Sequence, residues 1–353
     1  PFGHNNLFIT RHAAELYSYP MVRRIPHALR KFFATESAGG VVLVLACAIA
    51  LAFANSPLHQ EYADFWHPAH AFISEGLMSI FFFLVGLEIK REFVHGELRN
   101  PKAAALPILA AIGGMATPAL IFTAINYGGP GANGWAVPMP TDIALSIGAL
   151  ALLGSRIDTS LKIFLLTLAI ADDLGSILVL GIFYSHGISP IKIASTIGAV
   201  LLAWVLPTGK KFPTERLIAL IHPWSSYLII PLFALANIGI TVDFSSFATL
   251  ISSPVSSGII IGRVVGKLIG ITLFAWLAVK LGIAKLPTSL SFQEIAGAGA
   301  LAGMGLTVSL FIADLAFTSS EQLAQVKAGL IVGAIISAVL GLAMLRRFSV
   351  AQD

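Results

Sequence analysis

The chain has 353 residues, of which 56% are hydrophobic and only 11% charged, and its mean hydropathy is +0.85. A soluble domain carries about 25% charged residues, so a soluble globular fold is excluded and an all-α polytopic membrane protein is expected. The net charge of +4 gives no nucleic-acid partner, because the basic residues form short clusters between apolar runs, as topology signals do.

Taken in order, the apolar runs give candidate spans near residues 38–55, 72–89, 103–126, 135–154, 163–184, 191–206, 223–242, 257–279, 295–316 and 328–345. Residues 1–36 are expected to be a cytoplasmic N-terminal segment, and 37–353 a single transmembrane transporter domain. The first run follows Arg23, Arg24, Arg30 and Lys31 and ends in Ala52-Phe53-Ala54, the form of a signal-peptide cleavage site. Its length favours a retained span instead. Its Cys47 is the only cysteine, so no disulfide framework exists. The sixth run is short, with Lys192 at its start and Pro207 just beyond its end.

Orientation follows from the lysines and arginines. None occurs over 32–89, 103–155 or 217–262, whereas they cluster at 23–31, 90–102, 156–162, 210–216, 280–285 and 346–347. Those clusters fall on both ends of the chain and on alternate connections, which places both termini in the cytoplasm. The triads at about 103–184 and 257–345 then have inverted topology, a common construction in secondary transporters.

The middle run of each triad carries helix breakers. "VPMPTDIALS" (137–146) has Pro138 and Pro140 before Thr141 and Asp142, and "GAGALAGMGLTVS" (297–309) has four glycines. Proline removes a backbone donor and glycine loosens a helix. Two discontinuous helices are therefore expected at matching positions, although Gly299 and Gly303 alone would also suit close helix packing.

Ionisable residues deep in a membrane are costly and point to function. Asp142, Asp172, Asp173 and Lys267 form that set. In "LAIADDLGSI" (168–177), neighbouring side chains point ~100° apart, so one acid can line a cavity while the other meets a neighbouring helix. Such a pair titrates as a coupled unit, and its oxygen-only donors suit a hard cation. A site that holds either protons or a small cation exchanges one for the other.

Lys267, in "GRVVGKLIG" (262–270), is expected to pair with Asp172 or to balance carbonyl ends at a broken helix. Asp142 balances helix N-termini or simply caps the helix after the prolines. Arg263, one turn from Lys267, is expected to snorkel outward or to meet an acid. Glu88, Lys90, Arg91 and Glu92 crowd the cytoplasmic end of the second span, with His222 near the same face. An ordinary interfacial charge cluster and a structural histidine account for these as well as a functional role does.

These motifs resemble the NhaA-type sodium–proton antiporters of bacteria. The likeness rests on "FFFLVGLEIKRE" (81–92), "TDIALSIGALALLGSR" (141–156), "LKIFLLTLAIADDLGSI" (161–177), "HPWSSYLIIPLFALAN" (222–237), "GKLIGI" (266–271) and "GMGLTVSLFIADLAF" (303–317). It implies the antiporter fold, and electrogenic exchange of protons for sodium or lithium by alternating access in the bacterial inner membrane. It further implies that Asp172 and Asp173 bind the sodium ion, that Lys267 pairs with Asp172, and that Thr141 and Asp142 lie where the broken helices cross. Glu88, Arg91, Glu92 and His222 match its pH-response region.

The chain departs from that pattern in three places. About two spans are missing near Trp204–Leu206, leaving about ten. The connection "NSPLHQEYADFWHPAHAF" (55–72) lacks the outward β-hairpin that supports a homodimer, and Ile218 and Ala219 replace an expected acid and histidine.

The expected partners are the lipid bilayer, sodium or lithium ions and protons, with no cofactor and no enzymatic activity. The rival readings are a proton-coupled carrier of another solute and a transport-deficient scaffold that has lost two spans. An intramembrane aspartyl protease needs Y-D and G-x-G-D motifs, whereas the acids here are A-D-D-L and P-T-D-I.

Overall fold

A computed structural model describes residues 27–184, 190–207, 214–241 and 244–349. Most of the expected N-terminal segment, residues 1–26, and the side chain of Lys192 lie outside the described residues. The described part is helical, and no strand occurs among the described residues. In chain order the helices are α1 (His27–Ala54), α2 (His59–Trp66), α3 (Phe72–His95), α4 (Pro101–Ile125), α5 (Ile143–Ala151), α6 (Thr159–Phe183) and α7 (Pro190–Val205). They continue with α8 (Thr214–Asn237), α9 (Phe244–Ser252), α10 (Pro254–Lys280), α11 (Phe292–Ala302), α12 (Thr307–Ala316) and α13 (Ser320–Phe348).

Local chemistry sets the boundaries. Asn100 caps α4 by accepting from the Lys102 amide, with Pro101 in the first turn, where its missing N–H is harmless. Asp158 caps α6 and Ser253 caps α10, while Ser291 and Glu294 form a reciprocal capping box on α11. Three spans contain a π-helical turn: Phe72–Leu77 in α3, Ser225–Ile229 in α8 and Gly262–Lys267 in α10. Such turns recur at functional sites, and the last carries both Arg263 and Lys267.

Among the described residues, seven helices are long and apolar enough to cross a bilayer: α3, α4, α6, α8, α10, α13 and the 33–54 part of α1. The pair α11–α12, bent by 52°, makes an eighth. The two remaining expected spans differ from continuous helices. Residues 135–142 hold turns and extended chain, and only α5 beyond them is helical, because prolines at 138 and 140 bias the residues before them away from the helix. The apolar part of α7 is only Ile193–Val205. Its end is held by Lys90, which donates to Trp204 O at 2.7 Å and Leu206 O at 2.5 Å, satisfying carbonyls that the helix leaves free.

Large apolar side chains on the outer surface, among them Leu120, Leu152, Ile182 and Val339, remain exposed. An apolar surface of this extent is one that lipid covers. Inside, α4 and α10 pack backbone to backbone. A Cβ on Gly113 would lie 2.2 Å from Gly270 O, and one on Gly270 would lie 2.1 Å from Gly113 O. Neither backbone can yield, so Gly270→Val should overpack this crossing and destabilise the fold by about 1–3 kcal/mol. A lower unfolding temperature in detergent would register it, and an unchanged one would contradict the contact.

Candidate ion-binding site

The site forms where the two broken segments cross. The backbone amide of Asp142 donates to Met304 O at 3.0 Å, joining the extended stretch before α5 to the break between α11 and α12. The Asp142 carboxylate then serves two helix starts. Oδ1 accepts from the Leu145 amide of α5 at 3.2 Å, and Oδ2 accepts from Thr307 Oγ1, on the first residue of α12, at 3.0 Å. A carboxylate there meets the positive ends of both half-helices, so Asp142 is at once the cap and the bridge.

Beside it, Lys267 and Asp172 are fully buried, with Nζ 2.5 Å from Oδ2. Thr141 Oγ1 accepts from Lys267 Nζ at 2.8 Å. Its own proton has two acceptors within reach, Asp172 Oδ2 at 2.6 Å and Ala302 O at 3.1 Å. Thr141 thereby ties α10, α6 and α11 together. Asp172 Oδ1 and Asp173 Oδ1 have no hydrogen-bond partner among the described residues. Two adjacent carboxylates with vacant lone pairs supply the hard oxygen donors that suit a small cation.

Asp173 points elsewhere. It lines a cleft together with Thr141, Asp142 and Thr307 and with Glu36, Glu88 and His222. The room inside is ≈ 40 Å³, enough for a few water-sized occupants at about 10–15 Å³ each. At the opposite end of α8, a cavity of ≈ 480 Å³ is lined by Tyr62, Trp66, His70 and Lys327 and by none of these acids.

Along this cleft, His222 Nε2 lies 2.5 Å from Glu36 Oε1 and 3.9 Å from Glu88 Oε1, and Ser226 Oγ donates to Glu36. Glu36 was not expected here. Its only sequence signal is an acid just ahead of the first apolar run, and its partners His222 and Ser226 lie on α8. Arg91 and Glu92 do not line the cleft. They pair at 3.2 Å, and Glu92 also accepts from the Glu97 amide.

For Arg263 the sequence left two alternatives open, and among the described residues it takes neither, being turned inward with no acid paired to it. It is fully buried and donates to Gly303 O at 3.0 Å, to Val137 O and Pro140 O at 3.3 Å, and to Ser309. Those carbonyls are freed by the two breaks and draw the guanidinium inward.

The pattern of the family described as Na+/H+ antiporter 1 matches residues 30–208 and 191–345. The chain belongs to that family. It is 40% identical to the Na(+)/H(+) antiporter NhaA 2 of Pseudomonas syringae pv. syringae, over 92% of this chain and 97% of that protein. It is 39% identical to the NhaA antiporter of a Shewanella species, over 89% and 96%, and 38% identical to that of Escherichia coli O1:K1, over 90% and 97%. The two matched stretches overlap at 191–208, on α7, where the chain was expected to be short. As a member of this antiporter family, it is an ion-transporting membrane protein with an NhaA-like helical fold.

Replacing Asp142 with Ala leaves both half-helix starts without their shared acceptor. The change should destabilise the fold by about 1–2 kcal/mol, and Asp142→Asn by less, because the amide oxygen still accepts. Thermal unfolding of the purified chain checks both the loss and its order.

Proposed function

We propose that this chain exchanges sodium, or lithium, for protons across the bacterial inner membrane by alternating access. The observation that carries the reading is the buried trio Lys267, Asp172 and Thr141, beside a second carboxylate, Asp173, that faces the cleft. In this reading Asp173 receives the cation from the cleft. Asp172 completes the site by exchanging its bond to Lys267 for a bond to the ion, with Thr141 Oγ1 as a further oxygen donor.

Protons and cation compete because both need the same lone pairs. Discharging two protons for one monovalent cation would move one net charge per cycle, which makes the exchange electrogenic. The cleft opens from the face that carries Glu88 and His222. The distribution of Lys and Arg supports that face, with both chain termini, as cytoplasmic. The absence of these acids from the opposite cavity fits a conformer closed on the outer side. Glu88, His222, Arg91 and Glu92 are assigned to the pH response, with Glu36 in contact with His222.

A carrier of a larger solute is disfavoured by the ≈ 40 Å³ of room beside Asp173. A protease is disfavoured because Asp142 and Asp172 engage different partners and share none.

Reconstitution in vesicles with an imposed pH gradient tests the reading. Sodium or lithium should dissipate the gradient and potassium should not. Asp172→Asn and Asp173→Asn should each abolish the response in folded protein, and sodium-driven activity surviving in both would reject the site.

Competition adds a second expectation. As pH falls, the KM for sodium should rise while the maximal rate at saturating sodium holds. A KM independent of pH would show that protons and sodium bind elsewhere from one another.

A further inference from the structure

Two cations share the π-helical turn Gly262–Lys267, and they do different work. Among the described residues, Lys267 bonds only Thr141 and Asp172. Arg263 bonds no carboxylate among the described residues. Its guanidinium reaches Val137 and Pro140 on the stretch before α5, Gly303 at the end of α11, and Ser309 on α12. A planar fork with five N–H groups suits such a junction in a way that an ammonium does not.

The breaks leave the carbonyls of Val137, Pro140 and Gly303 without helical donors in a water-poor interior, where they must be satisfied from within the protein. If Arg263 were absent, Lys267, fully buried on the same π-helical turn, would be the cation left to serve them. It would then be drawn from Asp172, and Thr141, whose position depends on the same crossing, would lose its fixed distance to the carboxylate. The packing allows no substitute to drift in. A Cβ on Gly305 would lie 2.5 Å from Arg263 Nη1 and 2.6 Å from Pro140 O.

We propose that Arg263 is a positioning residue that sets sodium affinity. It clamps both broken segments through their carbonyl ends and so reserves Lys267 for Asp172. The proposal rests on the antiport reading above, and it differs from a simple role in folding by predicting a change in ion affinity within folded protein.

The test measures sodium-dependent proton exchange in vesicles, and sodium binding to the purified full chain by calorimetry, for the parent, Arg263→Met, Arg263→Lys and Gly305→Ala. The outer ligands of an ion site usually change affinity by about 10–100-fold. Arg263→Met should therefore raise the KM and Kd for sodium about tenfold or more, with a smaller change in maximal rate. Arg263→Lys should fall between Met and the parent, because it keeps the charge and loses the fork. Gly305→Ala should weaken sodium binding with the arginine still present, because the added methyl displaces the guanidinium.

Lower thermal stability at parental KM and Kd would assign Arg263 to folding alone and overturn the proposal. If Arg263→Met does not yield folded protein, parental KM values in both Arg263→Lys and Gly305→Ala overturn it equally. A parent chain that moves no protons in response to sodium rejects the antiport reading and this role together. A responsive parent with unchanged variants rejects the role of Arg263 alone.

Discussion

Everything in this fold is arranged around one contact, the 2.5 Å bond between Lys267 Nζ and Asp172 Oδ2 in an interior that exposes neither residue. Burying two charges is expensive, and removing one partner of such a pair costs about 3–5 kcal/mol because the other is left uncompensated. A transporter can use that penalty. A cation can part the pair only by replacing the ammonium at the carboxylate, so ion binding and rearrangement of the charged centre become one event in the proposed cycle.

The surrounding structure makes the contact possible. Helices α4 and α10 touch through Gly113 and Gly270, which brings α10 close enough for Lys267 to reach across to α6. Prolines 138 and 140 and the glycine-rich stretch before Thr307 break regular helix in two segments that meet at Asp142 and Met304. The interruption exposes amides that Asp142 and its neighbours use and carbonyls that Arg263 uses. Positive and negative helix ends thus each meet a fixed side chain of opposite sign.

Much of this was legible in the sequence, for physical reasons. A pair of acids and a lysine inside apolar runs cannot be ignored by the fold, so Asp172, Asp173 and Lys267 stand out without any alignment. The breakers at 138–140 and 297–305 likewise announced that regular helix would fail there, and both breaks are present. Other features depend on contacts between distant parts of the chain and leave no local trace. Glu36 meets Ser226 across 190 positions, and Arg263 finds its acceptors only because both breaks converge beside it. Residues 135–142 hold turns and extended chain in place of a first half-helix. The short α7 was flagged by its length, whereas its anchoring by Lys90 was not.

The account turns on whether sodium takes the place of Lys267 at Asp172. The most direct measurement is an experimental structure of the chain at alkaline pH, determined with and without a saturating monovalent cation that can be located by its scattering. The account predicts a cation between Asp172 and Asp173, with Thr141 Oγ1 among its donors and Lys267 Nζ withdrawn from Asp172. A cation bound away from both acids, with the Lys267–Asp172 bond intact in either condition, would contradict it.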